Sequence, residues 1–385
     1  MKHFLKFLLI TLFFLGPVAK GFAQRKGQAY VDSLLNELAS DKYRKKEDTN
    51  KLKLLDKISD TYTYLKPGEG IKYGLIELEL ANKIGWRKGI AHACNNLGLN
   101  YQNKSDYPKA MEYFLKELTI YEDMRDKNGV GTADCNIGLV YDFQSNYPKA
   151  LEYFFKAGHI YEELGQKKDM ATVSGDIGGL YYKQSDFPKA LEYSIEALKL
   201  NEELGDKAGV AGIAGNIGSI YLGLGDDTKA LEYYLKSLKY SEETGSKAPE
   251  ATANANIGSI YYDRGDWSQT LKYLFKALKM FEELGDKDGL AFATGNIGQT
   301  YTRQKNYLLG ITYTQKALKM NEETGDKHQV ASALSQIGDA YLALVEDTAG
   351  SSKKAIVTSE MPEGNYQPDA SIPAGKAARL KYAVR

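Results

Sequence analysis

Residues 213–238 read IAGNIGSIYLGLGDDTKALEYYLKSL, and this stretch decides the fold. Ile213, Ile217, Ile220, Tyr221 and Leu224 fall three and four residues apart, which lays one apolar stripe along a helix. Gly225-Asp226 interrupts the pattern as a turn. Ala230, Tyr233, Tyr234 and Leu238 resume it on one face of a second helix. Two short helices joined this way cannot bury both apolar faces alone, so the unit needs copies of itself on either side.

The copies are there. Asn96-Leu97-Gly98 with Tyr101 recurs as Asn136-Ile137-Gly138 with Tyr141, then at Asp176-Ile177-Gly178, Asn216-Ile217-Gly218, Asn256-Ile257-Gly258, Asn296-Ile297-Gly298 and Gln336-Ile337-Gly338, always 40 residues apart. A second block keeps register: Tyr107-Pro108-Lys109-Ala110, Tyr147-Pro148-Lys149-Ala150, Phe187-Pro188-Lys189-Ala190. Proline in the first turn of the second helix suits a position whose N–H has no helical partner. Glu112–Lys116, Glu152–Lys156 and Glu232–Lys236 place opposite charges one turn apart on its solvated face. Gly205, Gly285 and Gly325 stand where a left-handed cap ends that helix.

At these residues the chain resembles the tetratricopeptide repeat (TPR) family, whose motif is Leu-Gly-x-x-Tyr, a following Ala, then an aromatic and a small residue. Leu97-Gly98, Tyr101, Ala110 and Phe114 fit it, as do Ile137-Gly138, Tyr141, Ala150, Phe154 and Ala157. The early Trp of the family is replaced by Cys94, Asp134 and Ser174. A period of 40 rather than the family's ~34 implies longer helices. The resemblance implies an all-α fold, a right-handed α-α superhelix (TPR solenoid) of helix-turn-helix repeats. The chain resembles the long-repeat TPR proteins that bind extended peptides, such as kinesin light chains and Leu-Gly-Asn-type spindle adaptors, and also the TPR arrays on exported bacterial signalling proteins.

In that family the first helices line a concave groove, and the residue before Leu-Gly points into it. The resemblance therefore places Asn96, Asn136, Asn216, Asn256 and Asn296 in a peptide-binding ladder, with Asp176 and Gln336 as polar substitutes. A side-chain amide offers a donor and an acceptor, matching a peptide backbone. Helices packed ~8–10 Å apart would set one rung against roughly every third residue of an extended chain. The competing reading is that each rung bonds a neighbouring helix. Tyr182 and Tyr262 have the phase of groove contacts, whereas Tyr113, Tyr153, Tyr193, Tyr233, Tyr273 and Tyr313 read as helix–helix packing. Gly175, Gly215 and Gly295 sit mid-helix at a cost of ~0.5–1 kcal/mol each, which predicts either an open groove floor or close helix packing.

The ends depart from the repeat. Ile58 and Tyr62 lie one residue late, so the first unit reads as degenerate, preceded by a capping helix within residues 24–49. The array is expected over 50–344, about seven and a half units, followed by a flexible insert at 345–373 and the start of an incomplete helix at 374–385. Such an end suggests a piece of a longer protein, or a poorly capped array prone to end-to-end self-association. At the other terminus Lys2, His3 and Lys6 precede the apolar run Phe7–Leu15, and Gly21-Phe22-Ala23 follows. This is the layout of a secretory signal peptide over residues 1–23, predicting export to the periplasm or beyond.

Composition excludes several classes. Fifty basic residues balance 50 acidic ones, so no global charge draws the chain to nucleic acid. Two cysteines and four histidines argue against a disulfide scaffold and a His-rich metal site, and no later run is apolar enough to span a membrane. Cys94 and Cys135 lie one repeat apart but out of phase. Phosphate-loop, His-Glu-x-x-His and Gly-x-Ser-x-Gly signatures are missing. The expectation is a scaffold that is not an enzyme, carries no cofactor, and binds a protein or peptide partner. The alternative is the sensor array of a longer protein with a cyclase, histidine kinase or transcriptional output.

Overall fold

The computed structural model describes residues 22–44 and 46–350. All but the last two residues of the expected signal peptide lie outside these bounds, as do residues 351–385 with most of the expected insert and the C-terminal helix. The described chain is helical throughout, with no strand. Its helices are α1 (Phe22–Ala39), α2 (Asp41–Arg44), α3 (Thr49–Leu65), α4 (Pro67–Ile84), α5 (Arg87–Asn103), α6 (Tyr107–Met124), α7 (Lys127–Phe143), α8 (Tyr147–Leu164), α9 (Lys167–Lys183), α10 (Phe187–Leu204), α11 (Lys207–Gly223), α12 (Asp227–Thr244), α13 (Lys247–Asp263), α14 (Trp267–Leu284), α15 (Lys287–Arg303), α16 (Tyr307–Thr324) and α17 (Lys327–Gly350). They gather into two compact units, one ending at Ala230 and the other starting at Leu231.

The 40-residue period has a local cause. From α5 to α11 each first helix has 17 residues and each complete second helix 18, with turns of three and two residues between them. Aspartate or asparagine closes the N-termini: Asp106, Asn146 and Asp186 accept from the backbone N–H of Lys109, Lys149 and Lys189. Asp126 and Asp206 do the same for Gly129 and Gly209 at the first helices. Each such cap is worth ~1 kcal/mol. The C-termini end as the sequence predicts, with Gly205, Gly285 and Gly325 at φ of 67°, 67° and 78°.

Within a hairpin, the glycine after the rung lets the two helices touch. A Cβ on Gly98 would stand 2.4 Å from the Phe114 ring, and one on Gly138 would stand 2.9 Å from Phe154. The same contact recurs in the second unit, where Leu274 covers Gly258 at 2.9 Å. Beside it the repeat's tyrosines stack: Tyr101 on Tyr113, Tyr141 on Tyr153 and Tyr181 on Tyr193 at 5.6–5.7 Å. Tyr261 with Tyr273 and Tyr301 with Tyr313 repeat the pair in the second unit. Lys109, Lys149 and Lys189 lie over the first-helix rings Tyr101, Tyr141 and Tyr181 at about 5 Å, which gives the lysine of the Pro-Lys-Ala block its place. Successive hairpins join through clusters such as Ala110, Phe114, Ile137 and Val140.

Both ends are explained by geometry. Lys66 alone links α3 to α4, closing the one helix and opening the next, where later hairpins use three residues. The shorter turn carries Ile58 and Tyr62 one residue late, yet Tyr62 still stacks on Tyr73 at 5.9 Å. This first unit is thus a complete hairpin, and Val31 and Leu34 of α1 cover Leu54, Ile58 and Tyr62 of α3. At the other end α17 continues to Gly350, beyond the expected end of the array at 344. Among the described residues no helix is long and apolar enough to cross a membrane.

Candidate functional site

The rung residues occupy equivalent places on successive first helices. In the first unit Asn96 and Asn136 are 4% and 8% exposed, with Asp176 and Asn216 half-buried. In the second, Asn256 and Asn296 are 2% and 8% exposed and Gln336 is half-buried. A rung so deeply set presents only an edge to any ligand, so what each amide already bonds decides what it can offer.

Asn96 is engaged within the protein. Its Nδ2 donates to Asp56 Oδ1 at 2.8 Å and to Glu77 Oε2 at 3.3 Å. Asp56 stands 40 residues earlier, on the neighbouring first helix, where the one-residue-late register of the first unit gives it the place that Asn95 has on α5. One amide therefore bridges two carboxyl groups. Burial raises the Glu77 pKa to about 9, the Asp56 charge pushes the same way, and the Asn96 bond opposes them. Glu117 repeats the arrangement one hairpin on: Asn95 Nδ2 reaches both of its oxygens, at 3.1 and 3.2 Å. Asn136 faces Glu117 from α7, with its Nδ2 lacking a well-formed hydrogen bond. Burial lifts the Glu117 pKa to about 8 against the pull of both amides.

The next rungs lose the glutamate. Ala157 and Ala197 stand where Glu77 and Glu117 stood. Burial pushes the carboxyl of Asp176 up to about 7, the Asp142 charge adds to this, and Lys183 counters it. In the second unit Asn256 Oδ1 is buried with no hydrogen-bond partner. Gln336 Nε2 is held by Ser332 Oγ at 3.0 Å, a contact within its own helix.

The two tyrosines assigned to the groove lie at the ends of α9 and α13, packed against the start of the following helix. Tyr182 lies 5.7 Å from the Phe187 ring and Tyr262 meets Trp267 edge-on at 5.4 Å. The Tyr262 hydroxyl also accepts from Arg303 Nε at 3.1 Å. Gly175 takes the packing alternative: a Cβ there would stand 2.9 Å from Ile213 Cδ1. Gly295 has only Ala317 Cβ at 3.6 Å, an ordinary contact distance. Sequence reasoning passed over Asp56, Glu77, Glu117 and the Asp142–Lys183 pair. The 40-residue spacing of Asp56 from Asn96, and of Glu77 from Glu117, was the available signal.

Comparison with known proteins follows the same lines. The tetratricopeptide repeat profile matches residues 169–243 and 249–308, and a second profile of the same description matches residues 91–124. No curated protein sequence matches the chain at a significant level. Among solved structures, a STAND signal-transduction ATPase with a tetratricopeptide repeat sensor from Pyrococcus horikoshii is similar at a TM-score of 0.59 and 16% identity. The similarity covers 83% of this chain and 49% of that one, so this chain spans about half its length. A Rap protein complexed with Competence and Sporulation Factor gives a TM-score of 0.52 at 14% identity, covering 85% and 95%. The Cut9–Hcn1 hetero-tetramer of the APC/C gives 0.53 at 16%, covering 86% and 62%. At these identities the likeness concerns the fold. Repeated helical hairpins, close-packed glycines and family profiles agree, and the chain is a tetratricopeptide-repeat protein.

Proposed function

We propose that the chain is a non-catalytic interaction module whose row of first helices holds a peptide, or a segment of a partner protein, along the amide rungs. The observation that carries this reading is Asn256 Oδ1, a buried acceptor with no partner on a helix where neighbouring rungs are amides too. An unmet buried acceptor costs ~1–3 kcal/mol. A backbone N–H of a bound chain would meet it without regard to that chain's side chains. The Rap protein was crystallised with a bound factor on the same fold, which supports the class of function but names no partner for this chain. The basic start, apolar run and small-x-small pattern before Gln24 support action outside the cytoplasm.

The test is a pull-down from cell-envelope extract, comparing the wild type with Asn256→Ala combined with Asn296→Ala. A partner recovered by the wild type and lost by the variant, at unchanged circular dichroism, supports the rungs as the binding surface. Equal recovery from both removes them from the function. Fractionation of cells producing the full chain checks export, and retention in the cytoplasm defeats that part of the reading.

A second reading is a sensor array within a longer signalling protein. It is favoured by the likeness to the STAND protein, where a tetratricopeptide repeat serves as the sensor of a chain about twice as long. Reading the coding sequence beyond Arg385 for an output domain tests it.

A further inference from the structure

Seven hairpins supply a residue at the place where the second helix meets the rung of the following hairpin. Five of them use a small one: Ala157, Ala197, Ser237, Ala277 and Ala317. The first two use Glu77 and Glu117, each 1% exposed. Neither carboxyl has a basic partner among the described residues. Glu77 is faced by Asp56 of α3 and by Asn96 and the Cys94 thiol of α5. Glu117 is faced by Asn95 and Cys94 of α5, Tyr121 of its own helix and Asn136 of α7. Lys116, the residue before Glu117, is ion-paired with Glu112 on the solvated face.

Every neighbour that bonds these carboxyls is an amide, and the charged neighbour of Glu77 is another acid. The amides donate and so favour the carboxylate, but they carry no charge, and what opposes them is burial without a counter-ion. A carboxylate there has no counter-charge and little water, so ionisation has to open the site. A repeat array can yield at one end alone, because each hairpin contacts only its neighbours.

We propose that hairpins α3–α4 and α5–α6 form a pH-responsive end of the array, closed while Glu77 and Glu117 are protonated and loosened over residues 49–124 when they ionise. The hairpins that carry alanine or serine at this place stay folded over the same range. Asn96 bonds Glu77 and Asn136 faces Glu117, so the loosening falls on the first two amide rungs. The sign follows from linkage. Burial raises both acids, so the unfolded segment gives up its protons first, and stability is lost as pH climbs from the ordinary carboxylate range through about 8 and 9.

Hydrogen exchange on the full chain between pH 6 and pH 9, corrected for the intrinsic rate, tests this. Peptides within 68–84 and 107–124 should lose at least tenfold in protection relative to peptides within 247–303. Glu77→Gln with Glu117→Gln should abolish the difference, and Glu77→Ala with Glu117→Ala, which copies the later hairpins, should do the same. A constant ratio in the wild type overturns the proposal, as does a fall that persists in either variant. Carbon NMR of the side-chain carboxyls in the unmodified protein gives a check free of mutation. Titration of both glutamates above pH 7 supports the switch, and titration below pH 5.5 overturns it.

Discussion

Lys183 Nζ donates to both carboxylate oxygens of Asp142, at 2.8 and 2.7 Å, across 41 residues and from one first helix to the next. The Asp142 side chain is almost fully buried, and that of Lys183 is partly exposed. Among the described residues most ion pairs are solvated, including Arg87–Asp123, Lys127–Glu163 and Lys167–Glu203, which clasp three successive hairpins at their open ends. Pairs of that kind contribute ~1 kcal/mol or less. Asp142–Lys183 differs because one partner has lost its water.

Removing one side of this pair therefore costs more than removing both. Lys183→Met strands the Asp142 carboxylate and should destabilise the first unit by about 3 kcal/mol. Adding Asp142→Leu should recover most of the loss. Urea denaturation followed by circular dichroism measures both, and equal stability of the single and double variants would refute the coupling.

The glycine after the rung should behave differently in the middle and at the end of the array. Gly98→Ala drives a methyl into the Phe114 ring and should cost about 1–3 kcal/mol. Among the described residues, Gly338 has nothing within 4 Å of where its Cβ would stand. Gly338→Ala on α17 should be neutral or stabilise by up to ~1 kcal/mol through helix propensity. Thermal melts of the two variants decide it, and a comparable loss in both would mean that Gly338 is covered.

The hairpin, its period and its caps were legible because they depend on neighbours in sequence. Pro108 in a first turn, Gly205 as a left-handed cap and the Ile213–Leu224 stripe each act within one helix or turn. The site was legible only in outline. Periodicity shows that Asn96 is a rung, but not that its Nδ2 is held by Asp56 and Glu77. Gly175 was ambiguous for the same reason, since an open floor and the Ile213 methyl leave the same mark on the sequence. Tyr262 shows the limit most plainly: its phase was read from one helix, whereas Trp267 and Arg303 come from two others.

Asp176 makes a rung titratable. Burial first, and then the Asp142 charge, lift its carboxyl to about 7. The unfolded chain ionises near pH 4, so between these values folding holds a proton that the unfolded state has lost. Stability contributed at this site is complete below about pH 4, declines as pH rises towards 7, and is flat beyond. Asp176→Asn, which restores the asparagine found at five other rungs, should leave the protein unchanged at pH 4 and stabilise it by about 1–3 kcal/mol at pH 8. Chemical denaturation at the two pH values reads the difference, and an equal gain at both would show that the amide acts by packing rather than by charge.

Both cysteines are free. Burial drives the Cys94 thiol up to about 12, and the Glu117 charge adds to it, while Cys135 is also raised, chiefly by burial. Reaction with a disulfide reagent needs thiolate and access, and these sites withhold both. At pH 8 the folded protein should react with dithionitrobenzoate at least a hundredfold more slowly than in denaturant, where two thiols should titrate per chain. Fast reaction of one thiol in the native state would place Cys135, the less buried of the two, in a mobile contact with Tyr161 and Asp176 rather than in a fixed one. Slow reaction of both, with full recovery in denaturant, would show that the fold itself keeps both thiols protonated and out of reach.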